Sequence, residues 1–178
     1  PIFEVILPMT MSHQSLNRVY YYYKDFVVGK QNQPFYQGDI TISEWIGECK
    51  PESINVIPLF EDKVHMLEAH NIMGEYLKDK DIKHQRVFLA RSDPAMNYGM
   101  VSAILCNKIA LRRLRRLSEE TGVNIYPILG AGTAPFRGHL SPYTIANVLE
   151  EYPDVQTFTA QSAFKYDYEE GLIQNAVQ

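Results

Sequence analysis

Three apolar runs in this chain end in side chains that bind charge. Val87-Phe88-Leu89-Ala90 runs into Arg91-Ser92-Asp93-Pro94-Ala95-Met96-Asn97-Tyr98-Gly99, so a guanidinium and a carboxylate directly follow a candidate strand. Ile54-Asn55-Val56-Ile57-Pro58-Leu59-Phe60 runs into Glu61-Asp62. Ile125-Tyr126-Pro127-Ile128-Leu129 runs into the glycine-rich Gly130-Ala131-Gly132-Thr133-Ala134-Pro135-Phe136-Arg137-Gly138-His139. In α/β folds, residues at the carboxyl ends of strands face the mouth where ligands bind. Two acidic strand ends and one basic, glycine-rich end fit a divalent cation facing an anionic substrate.

The elements that must position these residues alternate along the chain. Strands are predicted over 2–7, 54–60, 86–90, 124–129 and 155–160. Helices are predicted over 12–28 (capped by Ser12 or Ser15, with Gly29 past its end), 64–78 and 97–121 (ended by Gly122). Two short helices complete the pattern, one capped by Ser43 and one starting at Ser141-Pro142 and running to about Glu151. Such alternation predicts a parallel sheet with helices outside it, and the continuously apolar strands fit burial on both faces. Five βα units are too few for a (β/α)8 barrel. The expected fold is therefore part of such a barrel, completed by further chain, or else a five-stranded open parallel sheet. The helix over 97–121 favours the first solution, because Leu105, Ile109 and Leu117 stand off the face shared by Met100, Ile104, Leu111 and Leu114.

Composition narrows the function classes. With 178 residues, the chain suffices for one domain with a single core. A net charge of −4 leaves no electrostatic footprint for nucleic acid or anionic membrane. No apolar run approaches the ~18 residues of a membrane span. Cys49 and Cys106 form neither a metal spacing nor a disulfide framework, so a reducing, cytoplasmic compartment is expected. The chain opens on Pro1 without Met, and a piece of a longer protein is expected. The arginines at 112, 113, 115 and 116 read as a solvated helix face paired with Glu119 and Glu120.

Four segments carry a family resemblance. Val56-Ile57-Pro58-Leu59-Phe60-Glu61, Ala90-Arg91-Ser92-Asp93-Pro94-Ala95, Gly132-Thr133-Ala134-Pro135-Phe136-Arg137-Gly138-His139-Leu140 and Gln161-Ser162-Ala163-Phe164-Lys165-Tyr166-Asp167 resemble, in order and spacing, archaeal-type phosphoenolpyruvate carboxylase. The resemblance implies a helix-rich (β/α)8-type barrel, usually a homotetramer. It implies an enzyme that converts phosphoenolpyruvate and bicarbonate into oxaloacetate and phosphate through carboxyphosphate and an enolate, with Mg2+ or Mn2+. The family's catalytic histidine belongs to an amino-terminal motif that this sequence lacks, so the segment alone is expected to be inactive. Ala131 stands where bacterial and plant enzymes carry a further arginine, and Met96 or Asn97 falls where the bacterial motif has lysine. A different Mg2+-dependent barrel lyase or aldolase on a pyruvate-like substrate keeps the same acids and arginine. A non-catalytic interaction module keeps the fold alone.

Each candidate residue carries two readings. Glu61 and Asp93 are metal ligands by resemblance, and helix-capping or first-turn acids by position. Asp62 is expected to be solvated. Arg137 is the anion-binding residue, its planar fork suited to phosphate or carboxylate, with Gly132 letting backbone approach the substrate. His139 either orients substrate and shuttles a proton or bonds locally. Lys165 and Gln161 contact phosphate or metal-bound water, or Lys165 is a surface lysine. Arg91 binds substrate or pairs with Asp93.

Overall fold

The structure, a computed structural model, describes residues 2–160 and 162–178. Its α/β architecture rests on one five-stranded parallel sheet: β1 (Glu4–Leu7), β2 (Asn55–Phe60), β3 (His84–Leu89), β4 (Asn124–Leu129) and β5 (Thr157–Phe158). The strands lie side by side in chain order, without the reversal that defines a doubly wound sheet. Helices connect them: α1 (His13–Tyr21), continued by a π-helical segment Tyr22–Val28, then α2 (Ile42–Ile46), α3 (Lys63–Leu77), α4 (Ser92–Tyr98), α5 (Met100–Thr121), α6 (Ile145–Glu151) and α7 (Glu170–Val177).

Alternation along the strands sorts the two faces of the sheet. Val56, Phe60, Val87, Leu89, Ile125 and Leu129 join one buried cluster with Leu16 of α1, Met66 and Met73 of α3, and Leu114 of α5. Helix α1 packs on α3, and α3 on α5, so the successive crossover helices are neighbours over this face. The intervening residues face the other way, and there a guanidinium spans the sheet. Arg86 donates through Nη1 to Glu4 Oε2 at 3.1 Å and through Nη2 to Thr157 Oγ1 at 3.3 Å, linking β3 to both outermost strands. In a flat sheet those strands would stand four spacings of about 4.8 Å apart, or roughly 19 Å. One guanidinium held between a glutamate and a threonine cannot cover that width. The sheet therefore curls toward the face away from the helices.

Several local expectations are corrected. The helix foreseen over 97–121 is two helices, because Gly99 sits at φ 86°, outside the helical region. The first of them starts at Ser92, since Pro94 falls within its first turn, where a missing N–H costs nothing. On α5 itself Leu117 is buried with Leu111 and Leu114, while Met100, Val101, Leu105 and Ile109 are exposed. Thr41, not Ser43, caps α2, in a capping box with Glu44. Helix α6 begins at Ile145, because the Thr144 hydroxyl accepts from the Ser141 N–H at 3.1 Å and holds Ser141–Thr144 in a turn. Asp62 is not simply solvated: it caps α3, accepting from the N–H groups of Val64 and His65 at 2.9 and 3.0 Å. Helix α7 had no counterpart in the sequence reading. Ser12 caps α1 and Gly122 closes α5 at φ 71°, both as expected.

Candidate active site

Strand register builds the site. Phe60 pairs with Leu89, Leu89 with Leu129, and Leu129 with Phe158. These four strand ends form a row, so the residues that follow them (Glu61, Ala90, Gly130 and Thr159) share one rim. The rim opens into a pocket of about 330 Å³ lined by Leu59, Glu61, Phe88, Ala90, Arg91, Ser92, Asp93, Gly130, Arg137 and Thr159. The two acids and two arginines singled out at the strand ends thus meet in one cavity at the carboxyl edge of the sheet.

The acids are held from different directions. Glu61 Oε2 accepts a 2.6 Å hydrogen bond from the backbone N–H of Met9, in the turn after β1. Met9 has φ 49°, and the turn is anchored by Thr10, whose N–H donates to Leu59 O at 3.0 Å and whose hydroxyl donates to Leu7 O at 2.8 Å. Asp93 lies in the first turn of α4 with its side chain exposed at the mouth. Among the described residues neither Glu61 nor Asp93 takes part in an ion pair. Asp62, next in sequence, is engaged elsewhere: its Oδ2 lies 2.5 Å from His65 Nδ1. Burial pushes the Asp62 carboxyl up, but hydrogen bonds from the backbone and ring of His65, its charge, and the Val64 N–H outweigh burial and hold it below the ordinary carboxylate range.

The basic side of the pocket is a folded-back loop. The Gly132 N–H donates to Arg137 O at 2.7 Å, the Leu140 N–H donates to Gly132 O at 2.8 Å, and the Arg137 N–H donates to Ala134 O at 2.8 Å. Gly138 turns the chain at φ 101°, and a Cβ there would meet Ala131 Cβ at 3.5 Å. Arg137 is exposed at the pocket, its guanidinium 5.5 Å from the Phe136 ring centre. Ala131 is tied to the strand end beside it: its N–H donates to Thr159 Oγ1 at 2.9 Å, and that hydroxyl donates to Ala131 O at 3.1 Å. Arg91, by contrast, is only 2% exposed and donates through Nη1 to Phe136 O at 2.9 Å.

The remaining described candidates do not line the cavity. Gly132 is buried in the loop clasp and does not line the pocket. His139 is exposed at φ 55°, and its carbonyl accepts from the Thr144 hydroxyl. Lys165 is exposed, its ammonium 4.9 Å from the Tyr166 ring centre. Gln161 lies outside the described residues. Met9 and Thr159 were not foreseen. Both occupy strand ends like the three that were, so the position of Pro8-Met9-Thr10 after β1 was the available signal.

The carboxylates fit a hard cation. Mg2+ typically takes one or two protein carboxylates and fills its other positions with water and substrate oxygens. Two acids in one pocket, neither in an ion pair among the described residues, meet that requirement, and Glu61 is oriented by a backbone amide.

Among the described residues, no helix is long and apolar enough to cross a membrane. The family model for phosphoenolpyruvate carboxylase matches residues 1–178. Phosphoenolpyruvate carboxylase of Methanospirillum hungatei is 59% identical over 167 residues, covering 94% of this chain and 34% of the relative. That of Methanothermobacter thermautotrophicus is 60% identical over 169 residues, covering 95% and 35%. That of Pyrococcus abyssi is 52% identical over 178 residues, covering 100% and 37%. The chain thus spans about a third of the length of these curated relatives. With strand-end acids, glycine-rich arginine loop and whole-chain match in agreement, the chain belongs to the phosphoenolpyruvate carboxylase family, in the form found in these archaea.

Proposed function

We propose that this chain supplies the metal-binding wall and part of the anion-binding wall of a phosphoenolpyruvate carboxylase active site. The observation that carries the reading is the single pocket that gathers Glu61, Asp93 and Arg137 from the ends of β2, β3 and β4. Glu61 and Asp93 would hold Mg2+ or Mn2+, which when bound stabilises the negative charge that develops on the enolate-forming end of phosphoenolpyruvate. Met9 fixes the Glu61 carboxylate through its N–H, so the acid is oriented before substrate arrives. Arg137 offers a planar fork to the phosphate as it moves from phosphoenolpyruvate to bicarbonate. The clasp around its backbone limits how far that fork can stray. His139 and Lys165 stand on the segments that follow β4 and β5. In this reading they reach substrate from the rim, with Gly132 keeping the loop compact.

The fold reading that accompanies this function is a sector of a (β/α)8-type barrel. Three observations support it: strands in chain order, crossover helices packed over one face, and a sheet curled toward the other. The other strands, the catalytic histidine and the assembly into a tetramer come from the rest of a longer polypeptide. This segment alone is inactive.

The test is bicarbonate-dependent release of phosphate from phosphoenolpyruvate by the full-length protein. Glu61→Gln and Asp93→Asn must each abolish most of it while leaving the folded enzyme intact. Phosphate release that does not require bicarbonate, or that survives both substitutions, would overturn the reading.

A further inference from the structure

Arg91 is a buried arginine without an acid. It is 2% exposed, and among the described residues it forms no ion pair. Its Nε is buried without a hydrogen-bond partner among the described residues, and its Nη1 donates to Phe136 O at 2.9 Å. Burying a guanidinium on these terms is costly, and a surface position would avoid the cost. The loop is shaped around it. A Cβ on Gly138 would meet Arg91 Cγ at 3.6 Å, so the chain on both sides of Arg137 rests on this one side chain. Buried Tyr152, just after α6, borders it as well: burial raises the Tyr152 hydroxyl's pKa, and the Arg91 charge works in the opposite direction.

We infer that Arg91 is a positioning residue, a strut from the end of β3 that sets the height and direction of Arg137 through the Phe136 carbonyl. The inference rests on the proposed role of Arg137 as the phosphate contact. Arg91 also lines the pocket, but at 2% exposure it offers substrate little accessible surface, and its Nη1 is committed to the loop at Phe136 O. A strut of this kind acts on one ligand only. Misplacing the Arg137 fork by a fraction of its reach weakens the grip on phosphoenolpyruvate and leaves bicarbonate untouched.

The experiment is a double-mutant cycle in the full-length enzyme, reading KM for phosphoenolpyruvate and for bicarbonate separately, with melting temperature alongside. Arg91→Met keeps the apolar stem and removes the donor; it should raise the phosphoenolpyruvate KM ~10-fold or more with the bicarbonate KM unchanged. Arg91→Lys, which keeps a charged donor, should recover most of that loss. In an Arg137→Ala background, Arg91→Met should add less than ~3-fold, because the fork it positions is gone. Effects that multiply in the double variant would make Arg91 a substrate contact and overturn the strut. So would a KM for phosphoenolpyruvate unchanged in Arg91→Met while Arg137→Ala is costly. If Arg137→Ala itself leaves that KM unchanged, the anion-site reading fails and the strut fails with it.

Discussion

The two ends of the curled sheet face treat charge differently. At the amino end, Arg86 and Glu4 are paired at 3.1 Å, and Arg86 also reaches Thr157. At the carboxyl end, among the described residues, Glu61 and Asp93 form no ion pair and neither does buried Arg91. The same charged residue types therefore do two jobs. The paired set ties three strands together across the curled face. The unpaired set is steadied by backbone groups, the Met9 N–H for Glu61 and the Phe136 carbonyl for Arg91, and in the proposed reading the charge of the two acids serves a ligand.

Substitutions at the two ends should separate cleanly. The largest effect belongs to the unpaired acids. Glu61→Gln or Asp93→Asn should cut turnover of the full-length enzyme at least ~100-fold, as loss of a metal ligand commonly does. Steady-state kinetics at saturating Mg2+ checks this, with circular dichroism showing that the fold survives. Arg137→Lys comes next. It keeps the charge and loses the fork, so turnover should fall ~10-fold or more, short of the ~2.7–4 kcal/mol typical of losing a transition-state donor entirely.

The paired end should show the opposite signature. Arg86→Met removes two hydrogen bonds from a charged group that is 31% exposed, so the cost to stability, discounted for solvent screening, is about 1–2 kcal/mol. A denaturant titration reads that loss, and Mn2+ affinity of the folded protein should not change. A metal affinity that falls with Arg86→Met would erase the distinction between the two ends.

The smallest effect concerns Asp62, the acid beside Glu61 that is a cap instead of a ligand. Asp62→Ala should destabilise α3 by about 1 kcal/mol. Because folding lowers the Asp62 pKa, its contribution is complete above the ordinary aspartate range and lost as pH falls through the lowered folded value. The stability difference between wild type and Asp62→Ala should therefore shrink in acid. A difference constant down to the most acidic pH at which both fold would contradict the assignment.

The sequence made the α/β rhythm and the strand-end chemistry visible because both depend on local pattern. Apolar runs of strand length closing on Glu61, Asp93 and the Arg137 loop are readable without coordinates, and the register brings those ends into line. Some misses were also local. Thr41 and Glu44 carry the spacing of a capping box, and Gly99 marks a break that a periodic reading passes over. Others were not available locally. The Met9–Glu61 hydrogen bond joins residues 52 positions apart. The burial of Arg91 runs against the usual rule for arginine and follows only from the loop folding over it. The Arg91–Phe136 and Met9–Glu61 contacts are tertiary facts, whereas the strand-end residues themselves are sequence facts.

The most direct test of the central claim is Mn2+ binding to the full-length protein, followed by electron paramagnetic resonance in the absence of substrate. Wild type and Arg86→Met should bind alike, while Glu61→Gln and Asp93→Asn should each weaken binding ~10-fold or more with the fold preserved. Unchanged Mn2+ affinity in both carboxylate variants would contradict the account and remove the metal from this pocket.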